Sequence, residues 1–87
     1  MEMQKVTITN KNGLHARPAY TFVQEASKFK SKITLKRDAK TASGKSIINI
    51  ISLGCTQGTE ITISAEGEDE KEAVATLVSL VRSGIGE

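Results

Sequence analysis

The chain is poor in the residues that build complex chemical sites. Its 87 residues include one cysteine, one histidine and one proline, and its only aromatic residues are two phenylalanines and one tyrosine. A single cysteine, Cys55, excludes an internal disulfide framework. One histidine and one cysteine cannot supply the three or four ligands of a zinc site, so we expect no metal. A domain of this size holds one thin core and no deep cavity, and we expect no bound cofactor.

Long apolar runs are also absent. No stretch approaches the ~20 residues needed to cross a bilayer, and no charged-then-apolar leader precedes the first predicted strand. We therefore expect a cytoplasmic protein without membrane insertion. The formal net charge of +2 is far below the charge typical of nucleic-acid binding. The predicted strands carry no aromatic residues for stacking on bases, which argues against a small nucleic-acid-binding α+β domain.

The spacing of apolar residues predicts seven elements in the order strand, helix, strand, strand, helix, strand, helix. Alternating residues predict strands over 5–9, 32–36 and 60–66, with a short strand over 41–43 that closes a hairpin with the second. Helical spacing predicts helices over 16–29, over 47–54 and from residue 69 to near Gly84. Strands with one apolar face need a cover, so we expect a single domain over 1–87, a two-layer α+β structure with the helices on one side of the sheet.

The first helix has two stripes of side chains. One is apolar and predicts the inward face: Ala19, Phe22, Val23, Ala26 and Phe29. The other is polar and lies near His15: Arg17, Tyr20, Gln24 and Ser27. The second stripe is the candidate working surface.

The two later helices carry start and stop signals. Ser46 is suited to cap the second helix and Gly54 to end it, although its β-branched isoleucines suit a strand as well. As a helix it turns Ile48 toward water. Asp69 and Glu72 resemble a capping box at the start of the third helix, with the Asp69 side chain bonding back to free N–H groups. The predicted inward residues of this helix are Ala73, Val74, Leu77, Leu80 and Val81.

The segment from Gly13 to Ala19 is the strongest candidate for chemistry. It places His15 at the start of a helix, where unpaired N–H groups and a partial positive charge form a site for an anion such as phosphate. The N–H groups of Ala16 and Arg17 are expected to point there. The Arg17 guanidinium can hold two phosphate oxygens, and imidazole is a nucleophile near neutral pH. The alternative is that His15 and Arg17 form an ordinary polar cap.

Four stretches resemble the HPr family, the phosphocarriers of the bacterial phosphoenolpyruvate-dependent sugar phosphotransferase system. They are 13–19, 45–47, 52–54 and 58–66. The resemblance implies an open-faced β-sandwich, a four-stranded antiparallel sheet covered by three helices, in which the first and second strands flank the fourth. It also implies a carrier rather than a turnover enzyme. His15 would accept a phosphoryl group on Nδ1, and Arg17 would assist the transfer.

The same resemblance implies the partners. Enzyme I would donate the phosphoryl group and IIA components of sugar permeases would receive it from a monomeric carrier. The matching docking positions are Ala16, Arg17, Tyr20, Gln24, Ile47, Ile48 and Ile51. Ser46 matches a serine that a dedicated kinase phosphorylates in some bacteria, which makes the carrier a regulator. The alternative function is a regulatory paralogue that acts in a nitrogen-type phosphorelay or binds a transcription regulator.

Overall fold

A computed structural model of the protein describes residues 1–85 and contains the seven elements in the predicted order. They are β1 (Glu2–Thr7), α1 (Ala16–Ala26), β2 (Lys32–Arg37), β3 (Lys40–Ser43), α2 (Ile47–Ser52), β4 (Glu60–Glu66) and α3 (Glu70–Arg82). The segment 47–52 is a helix, which resolves the helix-or-strand ambiguity of its isoleucines. The α+β fold predicted above is therefore confirmed.

The four strands form one antiparallel sheet in the order β1-β4-β2-β3. The fourth strand lies between the first two, with Val6 opposite Ile61 and Leu35 opposite Ile63. Along β4, buried residues alternate with exposed or half-buried ones, as expected of a sheet with one covered face. The covered face and the helices enclose a single core, in which Phe22 is the largest fully buried side chain.

The boundaries of β1 and α1 differ most from the predicted ones. The first strand begins at Glu2 and ends at Thr7, earlier at both ends than its apolar alternation indicates. The first helix ends at Ala26, with Ser27 as its C-cap, and the chain then makes a turn that leaves Phe29 packed against the core. Phe29 therefore contributes to the inward face without belonging to the helix.

The start of α3 is also built differently from the prediction. The predicted capping box is wrong, because the Asp69 side chain makes no hydrogen bond to the helix that it precedes. It accepts hydrogen bonds instead from the backbone N–H groups of Lys30 and Ser31, at 2.8 and 3.0 Å, and from the Ser31 hydroxyl. The carboxylate thus ties α3 to the turn that enters β2. Inside the helix Val78, which the spacing missed, is buried and Leu80 is only half-buried.

This contact predicts a loss of stability in acid. The hydrogen bonds from the Ser31 hydroxyl and then from the Lys30 N–H lower the pKa of Asp69 in the folded protein. A carboxyl with a lowered pKa stabilises the fold above its unfolded pKa of about 3.9, and this contribution disappears as the pH falls through the folded pKa. Asp69→Asn should therefore lower stability at neutral pH and flatten the acid limb of the stability curve, measured by urea unfolding from neutral pH downward.

Glu68→Gln is the matched control for this experiment. Glu68 is adjacent, and its carboxylate makes an exposed ion pair with Lys30 at 3.3 Å. Exposed pairs of this kind contribute little to stability. If Asp69→Asn and Glu68→Gln change the stability curve equally, the proposed role of the Asp69 contacts in acid stability is wrong.

Candidate functional site

The loop before α1 is fixed from both sides. The Asn10 side-chain N–H donates to the Gly13 carbonyl, and the Gly13 N–H donates back to the Asn10 carbonyl at 3.1 Å. The Leu14 N–H donates to the carbonyl of Cys55 at 3.1 Å, which joins this loop to the segment after α2. Gly13 has φ +68°, and a Cβ there would lie 2.2 Å from the Cys55 oxygen. This close approach explains the glycine two residues before His15.

His15 is the N-cap of α1 and its side chain is exposed. The backbone there is extended, with φ −92° and ψ −160°, and the imidazole makes no capping hydrogen bond. The His15 carbonyl accepts the hydrogen bond of the Ala19 N–H at 2.9 Å. The first N–H groups of a helix have no partner within it, and Pro18 supplies none, so Ala16 and Arg17 provide the donors after His15. An imidazole that makes no capping hydrogen bond thus lies beside backbone N–H donors suited to binding an anion.

The polar stripe of α1 lies on the surface as predicted. Arg17, Tyr20, Gln24 and Ser27 are all exposed, and so is Ala16 at the start of the helix. The Gln24 amide donates to the Tyr20 hydroxyl at 2.8 Å, which holds the tyrosine ring against its own helix. Tyr20 remains 52% exposed, so an aromatic ring faces solvent one turn beyond the start of the helix.

The short helix α2 packs against α1 and presents a second apolar surface. Ile50 is fully buried, Ile47 is half-buried, and Ile48 and Ile51 are 77% and 41% exposed. The predicted exposure of Ile48 is therefore confirmed.

Ser46 is the N-cap of α2, as predicted. Its hydroxyl oxygen accepts hydrogen bonds from the Asn49 backbone N–H at 3.3 Å and from the Asn49 side-chain amide at 2.7 Å. The preceding residue, Lys45, donates from Nζ to the Phe29 carbonyl at 2.7 Å. Capping is thus a structural reason for a serine here, independent of any modification.

The end of α2 contains contacts that the sequence did not reveal. Arg37 Nη1 donates to the carbonyls of Leu53 and Gly54 at 2.7 and 2.9 Å. Gly54 has φ +66°, which fits its predicted role in ending the helix. Burial raises the pKa of the Cys55 thiol, and the nearby positive charge of Arg37 opposes part of that increase. The thiol is buried, whereas its backbone carbonyl supports the His15 loop.

Residues 1–85 hold neither a candidate metal centre nor a candidate membrane span. In this part of the chain no three acidic, histidine or cysteine side chains gather in a way that could hold a metal ion. None of the helices described has the length and apolar character required to cross a membrane.

Comparison with known proteins identifies the class of molecule that this fold and site define. A family model described as "PTS HPr component phosphorylation site" matches residues 3–83. The chain therefore belongs to the HPr family of phosphocarrier proteins of the phosphotransferase system.

Individual relatives agree with this assignment. A solved structure of HPr from Thermoanaerobacter tengcongensis has a TM-score of 0.95 and 52% identity, covering 100% of this chain and 98% of that one. Phosphocarrier protein HPr of Haemophilus influenzae is 51% identical over 93% of this chain and 95% of its own length. The HPr-like protein Crh of Bacillus subtilis is 46% identical over 98% of this chain and 100% of its own length. The chain is thus similar both to carriers and to an HPr-like relative with another name.

Proposed function

We propose that this protein is a cytoplasmic phosphocarrier that accepts a phosphoryl group on Nδ1 of His15 from phosphorylated enzyme I and passes it to IIA components of sugar permeases. The observation that carries the proposal is the exposed imidazole at the N-cap of α1, with no capping bond of its own. Family membership supports the class of reaction, because the family model that matches residues 3–83 is described as "PTS HPr component phosphorylation site".

The residues around His15 have the chemistry that this transfer requires. The neutral imidazole attacks the phosphorus atom, so that a P–N bond forms at His15 while the bond to enzyme I breaks. Charge on the transferring group is stabilised by the N–H groups of Ala16 and Arg17, the positive end of α1 and the Arg17 guanidinium. Transfer to a IIA component reverses these bond changes and returns His15 to its starting state. In this proposal the protein is a carrier, which is restored after each delivery and converts no substrate of its own.

We propose further that the exposed faces of α1 and α2 form the docking surface for both partners. The surface consists of Ala16, Arg17, Tyr20, Gln24, Ile47, Ile48 and Ile51. Exposed isoleucines on a helix that packs against α1 suit a small, transient interface in which a few apolar side chains dominate the binding energy. A monomer presents this surface without obstruction to each partner in turn.

Tyr20 gives the sharpest test of this docking surface. Tyr20→Ala should raise the KM of enzyme I for the carrier about tenfold, since an exposed aromatic ring is a frequent hot spot at interfaces. Tyr20→Phe is the matched control, because it keeps the ring and removes only the hydroxyl that accepts from Gln24. Steady-state phosphorylation with varied carrier concentration measures both. Equal KM values for Tyr20→Ala and the wild type would remove Tyr20 from the interface.

A regulatory role is the second candidate function. It is favoured by Ser46, a half-buried hydroxyl at the start of α2 that Asn49 already contacts with two donors, and by the likeness to Crh. A serine kinase acting on Ser46 would place a phosphate beside these donors and would add negative charge close to the docking surface. In this alternative, the protein phosphorylated at Ser46 binds a transcription regulator, or the protein acts in a nitrogen-type phosphorelay without sugar transport.

The two candidate functions separate in a delivery experiment. Purified protein is phosphorylated with enzyme I and phosphoenolpyruvate and then mixed with a sugar-specific IIA protein. A carrier delivers its phosphoryl group rapidly to the IIA protein. Acceptance without delivery would contradict the sugar-carrier function and favour the regulatory relay.

A further inference from the structure

Arg37, the last residue of β2, lies against the C-terminal end of α2. Its Nη1 atom donates to the carbonyl oxygens of Leu53, at 2.7 Å, and Gly54, at 2.9 Å. The last carbonyls of a helix have no partner within the helix and carry partial negative charge, which a guanidinium satisfies well. A helix of only six residues is also marginal without external contacts. Arg37 therefore stabilises the C-terminal end of α2.

The residue that follows Gly54 supports the loop before His15. The Cys55 carbonyl accepts the Leu14 N–H at 3.1 Å, and Gly13 packs directly against the same carbonyl. Leu14 immediately precedes His15 in the chain. Movement of the Cys55 backbone would therefore move the backbone from which the His15 side chain projects.

We propose that Arg37 is a positioning residue for phosphoryl transfer at His15, an inference that rests on the function proposed above. Arg37 touches neither the phosphoryl group nor the imidazole. Arg37 donates hydrogen bonds to Leu53 and Gly54 at the end of α2, and Cys55 follows directly in the chain. The Cys55 carbonyl then accepts the hydrogen bond of the Leu14 N–H. This series of backbone contacts keeps the imidazole and the first N–H groups of α1 in the geometry that transfer requires.

The test compares Arg37→Met with Arg37→Lys and with Arg82→Met, a control that makes the same change at an exposed arginine at the end of α3. Two quantities are measured: hydrogen exchange at the Leu14 N–H, and kcat and KM for phosphorylation by enzyme I. In Arg37→Met the Leu14 N–H should exchange about fivefold faster, a change in free energy similar to that of losing one hydrogen bond. It should lower kcat about tenfold with little change in KM, because misplacement of the reacting group is costly.

The lysine variant should recover most of both losses, since an ammonium group still donates to the two carbonyls. Arg82→Met should behave as the wild type. If Arg37→Met fails to fold, Arg37→Gln, which keeps one donor group, takes its place. An unchanged Leu14 exchange rate or an unchanged kcat in the folded Arg37 variant would overturn the positioning role of Arg37 and would leave the proposed function standing. A wild-type protein that accepts no phosphoryl group would instead overturn the proposed function.

Discussion

His15→Ala is expected to reduce phosphoryl acceptance from enzyme I to background. His15 is the only histidine of the chain, so no second imidazole can replace it as the acceptor. The variant should fold, because the His15 side chain is exposed and makes no capping hydrogen bond that alanine would lose. Acid-labile phosphorylation in the presence of enzyme I and phosphoenolpyruvate measures the effect, and urea unfolding checks that stability is retained.

Ser79→Ala is a suitable control for this loss. Ser79 is exposed on α3, outside the proposed docking surface. It should be phosphorylated like the wild type. Persistent acid-labile phosphorylation of a folded His15→Ala protein would place the acceptor elsewhere in the chain.

Gly13→Ala is expected to produce the largest loss of stability among the variants considered. An alanine at φ +68° is strained, and its Cβ would lie 2.2 Å from the Cys55 carbonyl oxygen and 2.7 Å from the Thr56 Cα. Both obstacles are backbone atoms that cannot move aside as a flexible side chain would. Backbone strain and overpacking together should cost about 3 kcal/mol or more. Urea unfolding measures this loss, and slower phosphorylation of His15 should accompany it.

Gly58→Ala separates the two contributions. Gly58 also has a positive φ, +90°, but nothing lies within 4 Å of an added Cβ. Its replacement should cost only the backbone strain, about 1 kcal/mol. If Gly13→Ala and Gly58→Ala are equally destabilised, the close approach of Gly13 to Cys55 does not constrain the His15 loop.

The order of elements was predictable because each one has a clear local period. Alternation fixed β4 around Ile61 and Ile63, and Ser46 with Gly54 marked the limits of α2. Sequence spacing alone did not reveal that β4 lies between β1 and β2, because strand order depends on pairing between distant segments. That arrangement came from the resemblance to the HPr family.

The contacts that the sequence did not predict join segments that are distant in the chain. Asp69 has the sequence pattern of a helix cap, yet its carboxylate bonds to Lys30 and Ser31, 38 or more positions away in the chain. Local spacing cannot distinguish these two partners. In the sequence, Arg37 has the pattern of an ordinary exposed residue at the end of a strand. Its contact with the end of α2 forms only when β2 and α2 pack together.

The candidate site shows the same division. The Gly13–Ala19 segment contains the local signals of a helix start with an exposed histidine, and the structure has both. The support beneath it, in which the Cys55 carbonyl accepts from Leu14, joins residues 41 positions apart and leaves no signal in either segment. A backbone carbonyl is equally present in every residue type, so composition could not have identified it.

The most direct test of the account is the location of the phosphoryl group. Protein labelled with isotopic nitrogen in histidine, which occurs once in the chain, is incubated with enzyme I and phosphoenolpyruvate and observed by phosphorus and nitrogen NMR. A phosphorus–nitrogen coupling is expected at Nδ1 of His15. Phosphorylation of Ser46 alone, or a His15 imidazole that stays unmodified while enzyme I is phosphorylated, would contradict it.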